Sequence, residues 1–222
     1  MRLDLKSCLL VIDMQNESLT DGFFPVWNME MVVDNVSALI SACRSHGIPI
    51  IYTQQTYRPD GHDAALGEPK DASGRPKAYV RGSPGWEIIK SLKPLPEDVV
   101  IEKTRWSAFF CTPLEVILRG LSIQQIIVTG VVTDGCVQTT VYDAFFRDYH
   151  VVLVKDACGA FNQACHEAAV LNMVNWVYGM SVITTEALLQ ALKGQPFNVT
   201  VYREPNSVPF TYETIHSLYS KL

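Results

Sequence analysis

The chain has 222 residues, 48% of them hydrophobic, and 18 Lys and Arg against 23 Asp and Glu give it a formal charge of -5. That is enough apolar material for one sizeable core, while the absence of any Lys or Arg run leaves nothing to track a phosphate backbone, so nucleic acid is not an expected partner. The apolar run at Leu9 to Ile12 is closed at once by Asp13, too short for a secretory h-region or a spanning helix, and the six cysteines lie singly without CxxC spacing, so we expect a cytoplasmic protein with no membrane partner and mostly inert, reduced thiols.

Near-continuous apolar, β-branched runs recur at Cys8 to Ile12, Ile48 to Thr53, Val99 to Ile101, Ile126 to Thr129, Val151 to Val154 and Ser181 to Thr184. Strands covered on both faces need this pattern. Helical patterns fall between them. Met31 to Ser45 places Val32, Val36, Leu39, Ile40 and Cys43 on one stripe, with Gly47 to stop it. From Tyr57 to Lys93 the chain is rich in Gly, Pro, Asp and Lys. Only Trp86 to Leu92 reads as helix there, and Tyr57, Tyr79 and Trp86 suit a pocket wall or lid. Thr112, Pro113 and Glu115 form a capping box with proline at the first helical position of Leu114 to Arg119. Further helices are expected at Val137 to Arg147, at Gln163 to Tyr178 with Asn162 as its cap, and at Glu186 to Leu192 after Thr185. Strand and helix in alternation specify an α/β fold, a parallel sheet with helices on both faces and its ligand site beyond the carboxyl ends of the strands. Residues 1–194 make this domain, and the aromatic tail 195–222 needs an apolar surface, its own domain's or a neighbouring subunit's.

Three ionisable residues occupy strand exits. Asp13 ends the first strand in LLVIDMQN, Lys103 follows the third in VIEKTRWSAFF, and Cys136 sits between a strand and a helix in GVVTDGCVQTTVYDAF. Helix N–H groups above a thiol favour the thiolate, so Cys136 is expected to have a lowered pKa and to act as nucleophile. Asp13 supplies a carboxylate for proton transfer and Lys103 a cation to hold the developing charge, with the backbone N–H groups of Val132 and Cys136 as oxyanion donors.

These segments, together with SAFFCTPLE and the VKDACGA stretch from Val154, resemble the isochorismatase-like cysteine hydrolase superfamily across about Cys8 to Glu186. The resemblance implies a three-layer α-β-α fold around a mostly parallel six-stranded sheet in the order 3-2-1-4-5-6. It also implies a catalytic triad of Asp13, Lys103 and Cys136, a cis peptide between Val131 and Val132, and a homodimer or homotetramer. KTRWSAFFCTPLE is closest to the segment of ureidoacrylate, biuret and carbamoyl amidohydrolases, whose polar residues after the second strand contact the ureido group. Gln55 and Tyr57 stand in the matching positions. The nicotinamidase Asp-x-His metal cluster has no counterpart with the right spacing in TQQTYRPDGHD, so neither metal nor other cofactor is expected. Trp106 and Phe23 are candidates for the pocket walls, and Arg81 or Arg105 for clamping a substrate carboxylate.

The expected activity is hydrolysis of the C–N bond of a small amide, carbamoyl or ureido substrate through a thioester. Isochorismatase-type vinyl-ether hydrolysis, a nicotinamidase with an altered metal site, and a catalytically silent binding protein stay open beside it.

Overall fold

A computed structural model describes residues 4–222. The six apolar runs form strands β1 (Ser7–Ile12), β2 (Ile50–Gln55), β3 (Val99–Lys103), β4 (Gln125–Val131), β5 (His150–Gly159) and β6 (Ser181–Ile183), and the tail adds β7 (Thr200–Val201). They form one sheet in the order 3-2-1-4-5-6-7, parallel except for β7, which runs antiparallel to β6. The expected strand order holds, and the seventh strand is supplied by a segment that reads as irregular tail.

Helices α1 (Met29–Ser45), α2 (Leu114–Gly120), α3 (Gln138–Phe145), α4 (Gln163–Trp176), α5 (Thr185–Leu192) and α6 (Ile215–Tyr219) cover both faces. Period-two alternation on β1 feeds both cores. Cys8, Leu10 and Ile12 pack with Leu114, Leu118, Val141 and Val170 of α2, α3 and α4, whereas Leu9 and Val11 pack with Val32, Val36 and Leu188 of α1 and α5. Each fully buried Leu of this kind contributes about 2–3 kcal/mol of transfer free energy. Among the described residues no helix is long and apolar enough to cross a membrane.

Local chemistry moves several boundaries. Asn162 caps α4 as expected, its Oδ1 accepting from Cys165 N at 2.9 Å, a contact of about 1 kcal/mol. The capping box before α2 does not close. Pro113 precedes the helix, Thr112 Oγ1 accepts from Leu114 N, and Glu115 pairs with Arg119 and Arg147 instead of reaching back. For α5 the helix begins at Thr185 itself and the cap is Thr184, while the Thr185 N–H and hydroxyl both donate to Asp156 Oδ1. Between Trp86 and Leu92 only a 3-10 turn at Lys90–Leu92 forms. The preceding residues pair with the loop after β1, through Asn16 N to Glu87 O and Ile89 N to Met14 O, which holds them extended.

The tail lies on its own domain. Tyr202, Phe210, Ile215, Leu218 and Tyr219 pack on the core beside α4, and Asn175 clamps Val208 through both amide atoms at 2.8 and 3.0 Å.

One close approach sets the geometry of the strand exits. Gly130 in β4 has φ +112°, and a Cβ there would stand 2.1 Å from Ile12 O. Only glycine lets β4 run this close to the end of β1, where Asp13 follows at φ +50°.

Candidate active site

Asp13, Lys103 and Cys136 converge at the carboxyl edge of β1, β3 and β4, with residue exposures of 2%, 2% and 9%. Lys103 Nζ lies 2.6 Å from Asp13 Oδ2 and 3.4 Å from Cys136 Sγ. It also donates to Gln55 Oε1 at 2.7 Å and to the carbonyl of Arg105 at 3.1 Å. The two carboxylate oxygens of Asp13 have different surroundings. Oδ1 accepts a 2.7 Å hydrogen bond from Thr53 Oγ1, while Oδ2 meets the ammonium as an ion pair without an aligned hydrogen bond. Oδ2 therefore keeps a lone pair free for a proton.

Cys136 sits in a single π-helical turn, Thr133–Val137, that leads into α3. The carbonyl of Val132 accepts from Gly135 N and Val137 N, both at 3.1 Å, closing the turn around the thiol. The peptide joining Val131 to Val132 is cis. Val132 N and Cys136 N remain the candidate oxyanion donors.

The charge balance of the site corrects the thiolate expectation. Burial pushes the Cys136 thiol up to about 12, Lys103 pulls it down, and Asp13 pushes it up again. Asp13 and Lys103 already make a neutral pair, and a resting thiolate would place a second anion in a closed, low-dielectric space. Burial pulls the Lys103 ammonium down, but Asp13 and then Cys136 outweigh it, so its net shift is upward and it stays charged. The resting constellation is thus thiol, carboxylate and ammonium.

Gln55 lies inside this network. Its N–H donates to Gln15 Oε1 at 2.8 Å, and Gln15 Nε2 donates back to Gln55 O at 3.0 Å and to Trp86 O at 2.7 Å. With its Oε1 taken by Lys103, the other amide atom, Nε2, is buried and closes no hydrogen bond. Tyr57 is buried beside it, and its hydroxyl donates to Glu68 Oε2 at 2.8 Å. Burial, then Glu68, pushes that phenol upward.

The other sequence candidates lie further out. Phe23 and Trp106 are largely exposed. Phe23 meets Phe24 edge-on at 4.8 Å between centroids, and Phe24 in turn stacks on Tyr79 at 5.7 Å and touches Phe161. Burial, then Cys136 and Asp13, pushes the Tyr79 phenol upward. Arg81 is exposed and paired with Glu102, whose side chain alternates to the opposite side of β3 from Lys103, so its charge is committed away from the triad. Arg105 donates to the carbonyls of Asp63 and Thr104. His62 is paired with Asp60 at 3.7 Å, and among the described residues no three His, Cys, Asp or Glu side chains converge to hold a metal ion. A cleft of about 600 Å³ opens between Leu19–Phe23 and Lys77–Gly85. None of the triad lines it.

Sequence reasoning missed Thr53, which orients Asp13, Phe24 and Phe161, which build the aromatic cluster, and the clamp that Gln15 forms on Gln55. The DMQ string carried a usable signal for Gln15. Nothing local marks the others.

The Isochorismatase domain family model matches residues 7–187, most of the chain. The chain belongs to the isochorismatase family. At 33% identity over 171 residues it is similar to the ureidoacrylate amidohydrolase RutB of Cronobacter turicensis, across 68% of this chain and 74% of that protein. An isochorismatase family protein from Desulfovibrio vulgaris superposes with a TM-score of 0.76 at 29% identity, covering 86% of this chain and all of the other. N-carbamoylsarcosine amidase from Thermoplasma acidophilum does so with a TM-score of 0.67 at 28% identity, covering 82% and 98%. This isochorismatase-family chain is an enzyme, a cysteine hydrolase at the level of the superfamily.

Proposed function

We propose that this isochorismatase-family enzyme cleaves the C–N bond of a small amide, carbamoyl or ureido substrate through a thioester on Cys136. The observation that carries the reading is the placement of one buried ammonium 2.6 Å from Asp13 and 3.4 Å from the Cys136 sulfur. As the sulfur attacks the carbonyl carbon, its proton passes to the free lone pair of Asp13 Oδ2, so no second anion is ever held beside the carboxylate. Lys103 keeps its charge throughout and stabilises whichever of the two groups is anionic. The carbonyl oxygen, now an oxyanion, is received by Val132 N–H and Cys136 N–H. Asp13 then delivers the proton to the leaving nitrogen, which departs as a neutral amine or ammonia. Water attacks the thioester with Asp13 as base, and the sulfur recovers its proton.

The substrate class rests on two further features. The unpaired Nε2 of Gln55 offers N–H donors to a second oxygen of the substrate, as a ureido or carbamoyl compound with a neighbouring carbonyl would supply. The Phe24, Tyr79 and Phe161 rings suit a flat, conjugated or short apolar body. Two relatives carry amidohydrolase and carbamoyl amidase names, which agrees with this choice. The test is ammonia release from ureidoacrylate, other ureido acids, biuret, N-carbamoylsarcosine and nicotinamide, with isochorismate assayed alongside. Turnover of the ureido and carbamoyl compounds supports the reading, and turnover of isochorismate alone refutes it.

A further inference from the structure

A chain of buried polar contacts joins the tail to the nucleophile turn, and the mechanism above does not use it. The Tyr219 hydroxyl in α6 lies 2.9 Å from His166 Nε2, and His166 Nδ1 lies 2.8 Å from Thr133 Oγ1. Thr133 is the first residue of the π-helical turn that contains Cys136, and it is fully buried, as is His166 to within 3%. The rings of His166 and Tyr219 meet edge to face at 5.3 Å between centroids.

Tyr219 is itself held from several sides. Lys155 Nζ donates to its carbonyl at 3.1 Å and stands 4.5 Å over its ring. His216, one turn earlier, pairs through Nδ1 with buried Glu167 at 2.7 Å, and Thr200 Oγ1 in β7 donates to Leu222 O. Burial pushes His166 down to about 4 and the Tyr219 phenol upward, so both are neutral at pH 7 and the string carries no charge. Neutral buried hydrogen bonds in series polarise one another, and each orphaned member would carry a desolvation cost. The family match ends at residue 187, so the far end of the string lies outside the matched domain.

We propose that Tyr219 and His166 are positioning residues for catalysis, through which the tail helix holds the Thr133–Val137 turn, and with it the Cys136 sulfur, in register with Lys103 and Asp13. The proposal rests on Cys136 being the nucleophile. It assigns the tail a part in the reaction of its own subunit, beyond covering apolar surface. A tail that only covers the core would, when weakened, lower thermal stability and leave the chemistry of the folded enzyme alone.

The experiment compares the full-length parent with Tyr219→Phe, which deletes one oxygen and keeps the ring, the Lys155 contact and the remaining tail anchors. Steady-state kinetics are read at a temperature where both are fully folded by circular dichroism, together with the rate of Cys136 alkylation by iodoacetamide at pH 7.5. The proposal expects kcat to fall about tenfold, the equivalent of one buried hydrogen bond, with KM within about twofold and alkylation slowed in parallel. Thr133→Ser, which keeps the hydroxyl, should stay within about threefold of the parent. Unchanged kcat in Tyr219→Phe, a change confined to KM, or faster alkylation from simple exposure of the thiol overturns the proposal. Cys136→Ala in the same series separates the two failures. If it is inactive while Tyr219→Phe behaves as parent, only the positioning role is lost, and if it is active the nucleophile itself is wrong.

Discussion

Replacing Lys103 with Met isolates the buried charge. The side chain is wholly buried, and its ammonium is the counter-ion of Asp13, the donor to Gln55 Oε1 and Arg105 O, and the cation beside the sulfur. Methionine fills similar volume but leaves Asp13 buried with only Thr53 donating to it. Removing one member of a buried pair costs about 3–5 kcal/mol, which for a chain of this size lowers Tm by about 6–20 °C at pH 7. Protonation of Asp13 relieves the orphan charge. The folded variant therefore holds that proton more tightly than its unfolded chain does, and the stability gap to the parent narrows as pH falls from 7 toward 4. A protonated Asp13 accepts nothing from the thiol, so kcat/KM drops by at least about 10³-fold. Scanning calorimetry at pH 7 and 5, together with an ammonia assay, reads both effects. Adding Asp13→Asn to Lys103→Met should restore part of the lost stability and none of the activity. Turnover within tenfold of the parent, or a double variant less stable than Lys103→Met alone, refutes the reasoning.

Gln55→Leu removes an acceptor of Lys103 and the unpaired Nε2 together, and kcat/KM should fall about 10²-fold with KM raised; parental KM in steady-state kinetics would remove Gln55 from substrate binding. Gly130→Ala drives a Cβ into the Ile12 carbonyl and should cost several kcal/mol, seen as a collapse of Tm or of soluble yield. Gly47→Ala, also at positive φ but with open space around it, should cost only about 1 kcal/mol, and equal losses for the two would deny the close approach of β4 to β1. His166 faces Glu167, Lys155, Tyr219 and Thr133, and burial lowers its folded pKa to about 4 against 6.5 for the free side chain. Its contribution is complete above pH 6.5 and is lost as pH falls toward 4, because the unfolded chain takes up the proton first. Between pH 7 and 4.5 the parent should lose about 2–3 kcal/mol in urea denaturation that His166→Gln does not lose.

Much of the fold was legible because strands covered on both faces must be continuously apolar, and β1, β4 and the first half of β5 are. The second half of β5 was hidden by Lys155 and Asp156. Lys155 buries its stem against Tyr219, and Asp156 accepts from Thr185 at the start of α5, so neither polar residue breaks the strand. Trp86 to Leu92 has a helix-like spacing, but its backbone is used by the loop after β1. The triad could be read because each member follows its own strand. Its supports could not, since Thr53 meets Asp13 across 40 residues and Tyr219 meets His166 across 53. The upward push on the thiol was not legible, because it comes from burial and from Asp13, which only the folded chain brings beside Cys136.

Acid-quenching the enzyme during turnover of an active ureido or carbamoyl substrate, followed by peptide mass spectrometry, reads the covalent step directly. The peptide containing Cys136 should carry the acyl portion of the substrate, and Cys136→Ala should show neither adduct nor product. Full turnover by Cys136→Ala, or an acyl group carried on a residue other than Cys136, would contradict the assignment of this sulfur as the attacking atom.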